Sequence, residues 1–86
     1  MTLRWTDRAV DDLEDIADRA PRAAAHVYEA IVWLGRMPFP RAFRRYEHGG
    51  TERILSVAPY IVVYRVVDED IVVLRVADAR RFGARW

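Results

Sequence analysis

Apolar residues recur at two different periods along this chain, and the change of period divides it in half. Between residues 7 and 34 they return every three or four positions, the spacing that gathers side chains on one face of a helix. Val10, Leu13, Ile16, Ala17 and Ala20 form a first stripe, with acids on the opposite face and Thr6 or Asp7 placed to cap the free amides at its start. Pro21, tolerated in the first turn of a new helix, interrupts the pattern. Ala24, Val27, Tyr28, Ile31 and Leu34 then make a second stripe, which Gly35 and Pro38 end. The pattern predicts a helix hairpin, preceded by a short strand at Leu3-Arg4-Trp5.

From residue 53 the period is two. Arg53 to Val57, Tyr60 to Val67 and Ile71 to Ala77 are rich in Val, Ile, Leu and Tyr, and Ala58-Pro59 and Asp68-Glu69-Asp70 separate them. They read as a three-stranded antiparallel meander, which makes the whole an α+β fold. If Val67 faces Ile71 across the acidic turn, one face carries Tyr60, Val62, Tyr64, Val66, Val72, Leu74 and Val76. The other then carries Ile61, Val63, Arg65, Val67, Ile71, Val73 and Arg75. The wholly apolar face is the expected seat of the helices, leaving Arg65 and Arg75 together on the open side. Arg53 can lie on either face, depending on the length of the turn at Ala58-Pro59. Residues 38–50, PFPRAFRRYEHGG, combine two prolines, a double glycine and three arginines, and read as a long irregular connection of the kind that carries function.

Length and composition narrow this picture. Eighty-six residues, 52% of them hydrophobic, suffice for one core and one domain, expected over residues 1–86. The absence of cysteine removes disulfides and thiolate metal sites and fits the reducing cytoplasm. Even the longest apolar runs, Tyr60 to Tyr64 among them, are too short for a signal core or a membrane span, so no membrane partner is expected. All fourteen basic residues are arginine and the net charge is only +1, yet the charge is unevenly spread. Asp7, Asp11, Asp12, Glu14, Asp15 and Asp18 crowd the first helix, whereas Arg36, Arg41, Arg44, Arg45 and Arg53 crowd the middle. Guanidinium groups suit bidentate contact with phosphate or carboxylate, although a GC-rich coding bias would also favour arginine.

The order strand, helix hairpin, three-stranded meander resembles the RelE/ParE superfamily of toxins from bacterial type II toxin-antitoxin systems. Local strings carry the resemblance as well. Trp5-Thr6-Asp7-Arg8-Ala9, with Asp12-Leu13 and Ile16 after it, is similar to the family's opening. GGTERILSVAPYIVVYRVVDEDIVVLRVADARR is similar to its glycine, arginine, short strand, Pro-Tyr, Tyr-Arg-Val strand, acidic turn and last strand followed by arginine. Two departures stand out. Asp78 stands where many relatives have histidine, and the lysines and C-terminal tyrosine of the messenger-cleaving branch are missing.

The resemblance implies a cognate antitoxin whose C-terminal segment wraps the toxin, giving a toxin-antitoxin hetero-oligomer. It also implies one of two targets. In the RelE-like reading the chain is a metal-independent endoribonuclease acting on messenger RNA at the ribosome, with Arg53, Arg65 and Arg81 as its functional arginines. Such chemistry needs a base, an acid and cations around the phosphate. The cations are present; His48 and Tyr46 are weak candidates for the base, His26 reads as structural, and a carboxylate at Asp78 would repel the charge to be stabilised. In the ParE-like reading, which these departures favour, the chain grips DNA gyrase and traps it on broken DNA without catalysis of its own. Phe39, Arg41, Phe43, Arg44, Arg45 and Tyr46 then offer the aromatic and arginine mixture of binding hot spots, with Arg75 and Arg80 as further contacts for target or antitoxin. The same mixture could stack on RNA bases, and Arg65 and Arg75 could equally be snorkelling side chains that cover apolar sheet. A non-toxic homologue serving as a binding module is a third reading. No nucleophile elbow, phosphate-binding glycine loop or metal-ligand spacing occurs, so neither cofactor nor metal is expected.

Overall fold

Thr6 ends the first strand and starts the first helix. In the computed structural model, which describes residues 2–36, 43–45 and 52–82, strand β1 (Thr2–Trp5) gives way to helix α1 (Asp7–Arg19). Thr6 Oγ1 accepts from the Ala9 amide at 3.1 Å, as an N-cap should, and donates to the Leu74 carbonyl at 3.0 Å. Ala20 closes α1 through its amide to Ile16 O at 2.7 Å, and Pro21 opens helix α2 (Pro21–Leu34). The hairpin is therefore the one its two apolar stripes predict. Its buried side chains are Ala9 and Ile16 on α1 and Ala24, Val27, Ile31 and Leu34 on α2.

The second half is a sheet with two strands more than the meander alone. Phe43–Arg45, inside the stretch read as irregular connection, forms strand β2, antiparallel to β3 (Glu52–Val57). Pairing there satisfies backbone groups that an exposed edge would leave open, which three residues among prolines and glycines do not advertise in sequence. Strands β4 (Tyr60–Val67) and β5 (Asp70–Asp78) complete the meander, and a short helix α3 (Ala79–Phe82) follows. The sheet order is β1-β5-β4-β3-β2, with β1 parallel to β5 and the other neighbours antiparallel.

The register corrects one expectation. Val67 pairs with Asp70 and Val66 with Ile71, because the turn is only Asp68-Glu69, with Asp68 at φ 55. Asp is among the few side chains that tolerate this left-handed conformation. Ile71 and Val73 thus join Tyr60, Val62, Tyr64 and Val66 against the helices, rather than facing the open side. A bulge then shifts the phase: Val63 pairs with Arg75 but Tyr64 with Val73, so Leu74 is extra and packs on the open-side cluster of Ile54, Ile61 and Val63. Beyond the bulge Val76 returns to the helix side, where the alternation had placed it. Tyr64, Ile31, Leu34, Ile71, Val27, Val62 and Val73 are the largest fully buried side chains, each aliphatic one contributing about 1.5–3 kcal/mol by leaving water.

Candidate functional site

Alternation along β4 decides where the arginines stand. Tyr64 and Val66 face the helices, so Arg65 between them lies on the open face with Ile61 and Val63. There its Nη2 donates to Glu52 Oε1 at 2.8 Å, straight across the β3–β4 pair. The Arg65 side chain is 41% exposed and that of Glu52 19%, so the pair is held against the sheet without leaving solvent. Arg65 Nε is buried and makes no hydrogen bond among the described residues.

Arg53 stands on the other side. A two-residue turn at Ala58-Pro59 pairs Val57 with Tyr60, and the register carries Arg53 opposite Tyr64, on the helix side with Leu55 and Val57. Burial pushes the Tyr64 hydroxyl above its ordinary value of 10.0, and the nearby Arg53 charge opposes that rise. Arg75, opposite Val63, shares the face of Arg65 by register as the alternation had suggested, but its side chain is tied to α1. Its Nε donates to Asp12 Oδ2 at 2.9 Å, and the same oxygen accepts from the Val76 amide at 3.0 Å. Arg8 Nε lies 3.5 Å from Asp12 Oδ1. The carboxylate thus ties α1 to β5 where β1 no longer covers that strand.

The third group lies at the far end of the sheet. Asp78 pairs with Tyr60, and its carboxylate accepts three bonds from Arg80: from Nη2 at 2.8 Å, from the backbone amide at 2.9 Å and from Nε at 3.1 Å. These bonds hold its carboxyl well below the usual range, at about 2, with the Arg80 and Arg81 charges adding to the effect. The same contacts raise the Arg80 guanidinium, which cannot lose its charge in any case. The Asp78 partner Tyr60 and Arg65 are five steps apart along β4, roughly 16 Å of strand. Arg53, Arg65 and Arg81 therefore do not converge: the first two stand on opposite faces and the third near the opposite strand end.

Basic residues do gather at the β2–β3 edge, where Arg45 pairs with Arg53 and Arg44 with Ile54, and Phe43 pairs with Leu55. Arg41 and Tyr46, with Phe39 and His48, lie outside the described residues. His26, read as structural, is exposed on α2. Sequence reasoning did not single out Glu52 or Asp12 as the partners of Arg65 and Arg75. The first was within reach, since an acid one position before Arg53 falls opposite Arg65 once the turn length is fixed. It also assigned Val10, Ala17 and Tyr28 to the core stripes of the hairpin, and all three are exposed.

Among the described residues no helix is long and apolar enough to cross a membrane. No curated protein matches the chain in sequence. The toxin chain of a RelBE2 toxin-antitoxin complex from Mycobacterium tuberculosis is similar to it at 30% identity and a TM-score of 0.76, over 90% of this chain and 95% of that one. A chain of the chromosomal ParDE system of P. aeruginosa is similar at 28% identity and a TM-score of 0.79, over 91% and 95%. A YoeB/ParE toxin from Agrobacterium tumefaciens, 21% identical over 91% and 98%, shares the fold with a TM-score of 0.77. The family model for the ParE toxin of the type II toxin-antitoxin system, parDE, matches residues 3–82, and the chain accordingly belongs to the ParE toxin family.

Proposed function

We propose that this toxin arrests growth by gripping DNA gyrase and trapping it on broken DNA, with no bond-making chemistry of its own. The observation that carries this reading is the dispersal of Arg53, Arg65 and Arg81 over two faces and two ends of the sheet. A phosphodiester in transit needs its cations within hydrogen-bond reach of one phosphate, and preorganised convergence is what makes such groups catalytic. Binding asks only for a surface. The arginines and aromatics of residues 41–46 supply its chemistry, and the two arginines of β2 extend the sheet beside Arg53. Gyrase as target assigns the action to the cytoplasm.

A cognate antitoxin silences the toxin in this reading. The similar M. tuberculosis chain comes from a toxin-antitoxin complex, as does a Methanococcus jannaschii RelE of the same fold. An acidic segment would complement the arginines of the open face and of the β2–β3 edge, displacing or bridging Glu52 at Arg65. Induced expression without antitoxin tests the target directly, with growth, DNA-damage response and transcript integrity followed in one culture. The expected result is arrest with a damage response and intact transcripts, unchanged in rank when Arg65 and Arg81 are both replaced by Ala. Rapid cleavage of translated messages that the double variant abolishes would move the assignment to a ribonuclease. Soluble, folded protein that leaves growth untouched would point to a binding module instead.

A further inference from the structure

Two arginines of the open face stand in one row across the sheet, and each meets a carboxylate of its own chain. Leu3 and Trp5 pack toward the helices, so Arg4 between them faces the open side, as Val72 does between Ile71 and Val73. The register sets Val72 opposite Arg65 on one flank and opposite Arg4 on the other, which leaves the two arginines two strand spacings apart, roughly 10 Å. Glu52 ends the row on β3, 2.8 Å from Arg65. Asp70 lies two residues before Val72, its Oδ2 3.6 Å from Arg4 Nη1.

The two pairs differ in strength. The Arg4 side chain is 66% exposed and its contact is long, so water screens that pair heavily. Glu52 is more enclosed and its contact is short, yet it fills only part of what Arg65 offers. Nε and Nη2 share one edge of a guanidinium, and that edge suits two parallel bonds to a single oxyanion. Glu52 accepts at Nη2, while Nε is buried with no hydrogen bond among the described residues. The fork is thus neutralised without being fully used.

We propose that Glu52, assisted by Asp70, is a specificity residue: a counter-ion built into the sheet that keeps Arg65 and Arg4 from gripping the phosphates of single-stranded nucleic acid. A phosphate arriving at Arg65 must displace a carboxylate that strand pairing holds in place, and any carboxylate left beside it repels the newcomer. The device matters in a chain with fourteen arginines and no lysine, since unpaired guanidinium groups on one face bind any polyanion by releasing its counter-ions. The inference rests on the open face alone and holds whichever target the toxin has.

The test uses the purified chain and a fluorescent single-stranded DNA probe, with binding read by anisotropy over a range of salt. Glu52→Gln should bind the probe more tightly than the unaltered chain, and Glu52→Gln with Asp70→Asn should gain roughly tenfold at low salt. The log-log salt slope should steepen by about 0.7 for each phosphate newly contacted, hence by about 1.4 in the double variant. Adding Arg65→Ala to that variant should remove most of the gain. Asp11→Asn with Asp18→Asn, two exposed acids of α1, adds the same two units of charge away from the sheet and should change affinity less than about twofold. Asp70→Asn, beside the turn, gives a second reading should Glu52→Gln lower the urea midpoint. No gain in these variants, a gain matched by the two α1 substitutions, or a gain that survives Arg65→Ala would overturn the assignment.

Discussion

Asp78 and Arg80 show how two neighbouring residues can change what a strand end is able to do. Where the family resemblance leads one to look for histidine, this chain has a carboxylate that its own second neighbour grips with three hydrogen bonds. A carboxyl held at about 2 stays ionised at every physiological pH and can neither donate nor accept a proton there. Its titration, followed by NMR at the side-chain carboxyl, should have a midpoint near 2, and Arg80→Ala should return it toward 3.8. The sign follows from the direction of the shift. A depressed folded value contributes stability that is fully present above the unfolded pKa and fades as pH falls from about 3.8 to about 2, so the pair makes no difference to stability changes between pH 5 and 8. Arg65 and Glu52 follow a related logic, since the guanidinium nearest the middle of the open face is already engaged by a carboxylate that any phosphate or antitoxin group must displace.

Whole elements were legible in sequence to different degrees, for physical reasons that can be named. The hairpin could be read because a 3.6-residue period, a capping threonine and a helix-opening proline all agree. Thr6→Ala should cost about 1–2 kcal/mol in urea unfolding, because it removes both the cap on Ala9 and the bond to Leu74, whereas Thr6→Ser should be near neutral. Strand β2 could not be read, since three residues carry no period of their own and exist through pairing with β3. The faces of β4 were legible and those of β5 were not. A turn one residue shorter than assumed exchanges the two faces, and a bulge at Leu74 exchanges them back, so the first half of β5 is inverted while Arg75 and Val76 stand where alternation had put them. The candidate arginines escape the inversion, since Arg65 is on β4 and Arg75 lies just past the bulge; what the sequence did not reveal is the engagement of Arg75 by Asp12.

At the scale of the molecule, one half-hidden carboxylate fastens the helical layer to the sheet. Asp12, only 13% exposed in its side chain, receives bonds from Arg75 and from the Val76 amide, the latter on an edge of β5 that no strand covers. Asp12→Ala leaves both donors without that acceptor and should destabilise the fold by about 2 kcal/mol, read as a lower urea midpoint. Asp12→Asn keeps an oxygen for the amide and should lose less. The layers so joined carry different charge, with exposed acids along α1 and Arg65 on the open face of the sheet, although the whole chain sums to +1.

The parallel pairing of β1 with β5 has a consequence in time. Thr2 to Trp5 are synthesised well before their partners Asp70 to Val73, and Thr6 waits for Leu74 across 68 residues. Until the final strand is made, the sheet lacks the neighbour that β1 pairs with, and α1 has only α2 to hold against. Contacts so distant in sequence are the slowest to form. A domain built this way acquires its finished surface only once its last strand has been synthesised, so every surface that β5 helps to form, and anything that binds there, must wait for that strand.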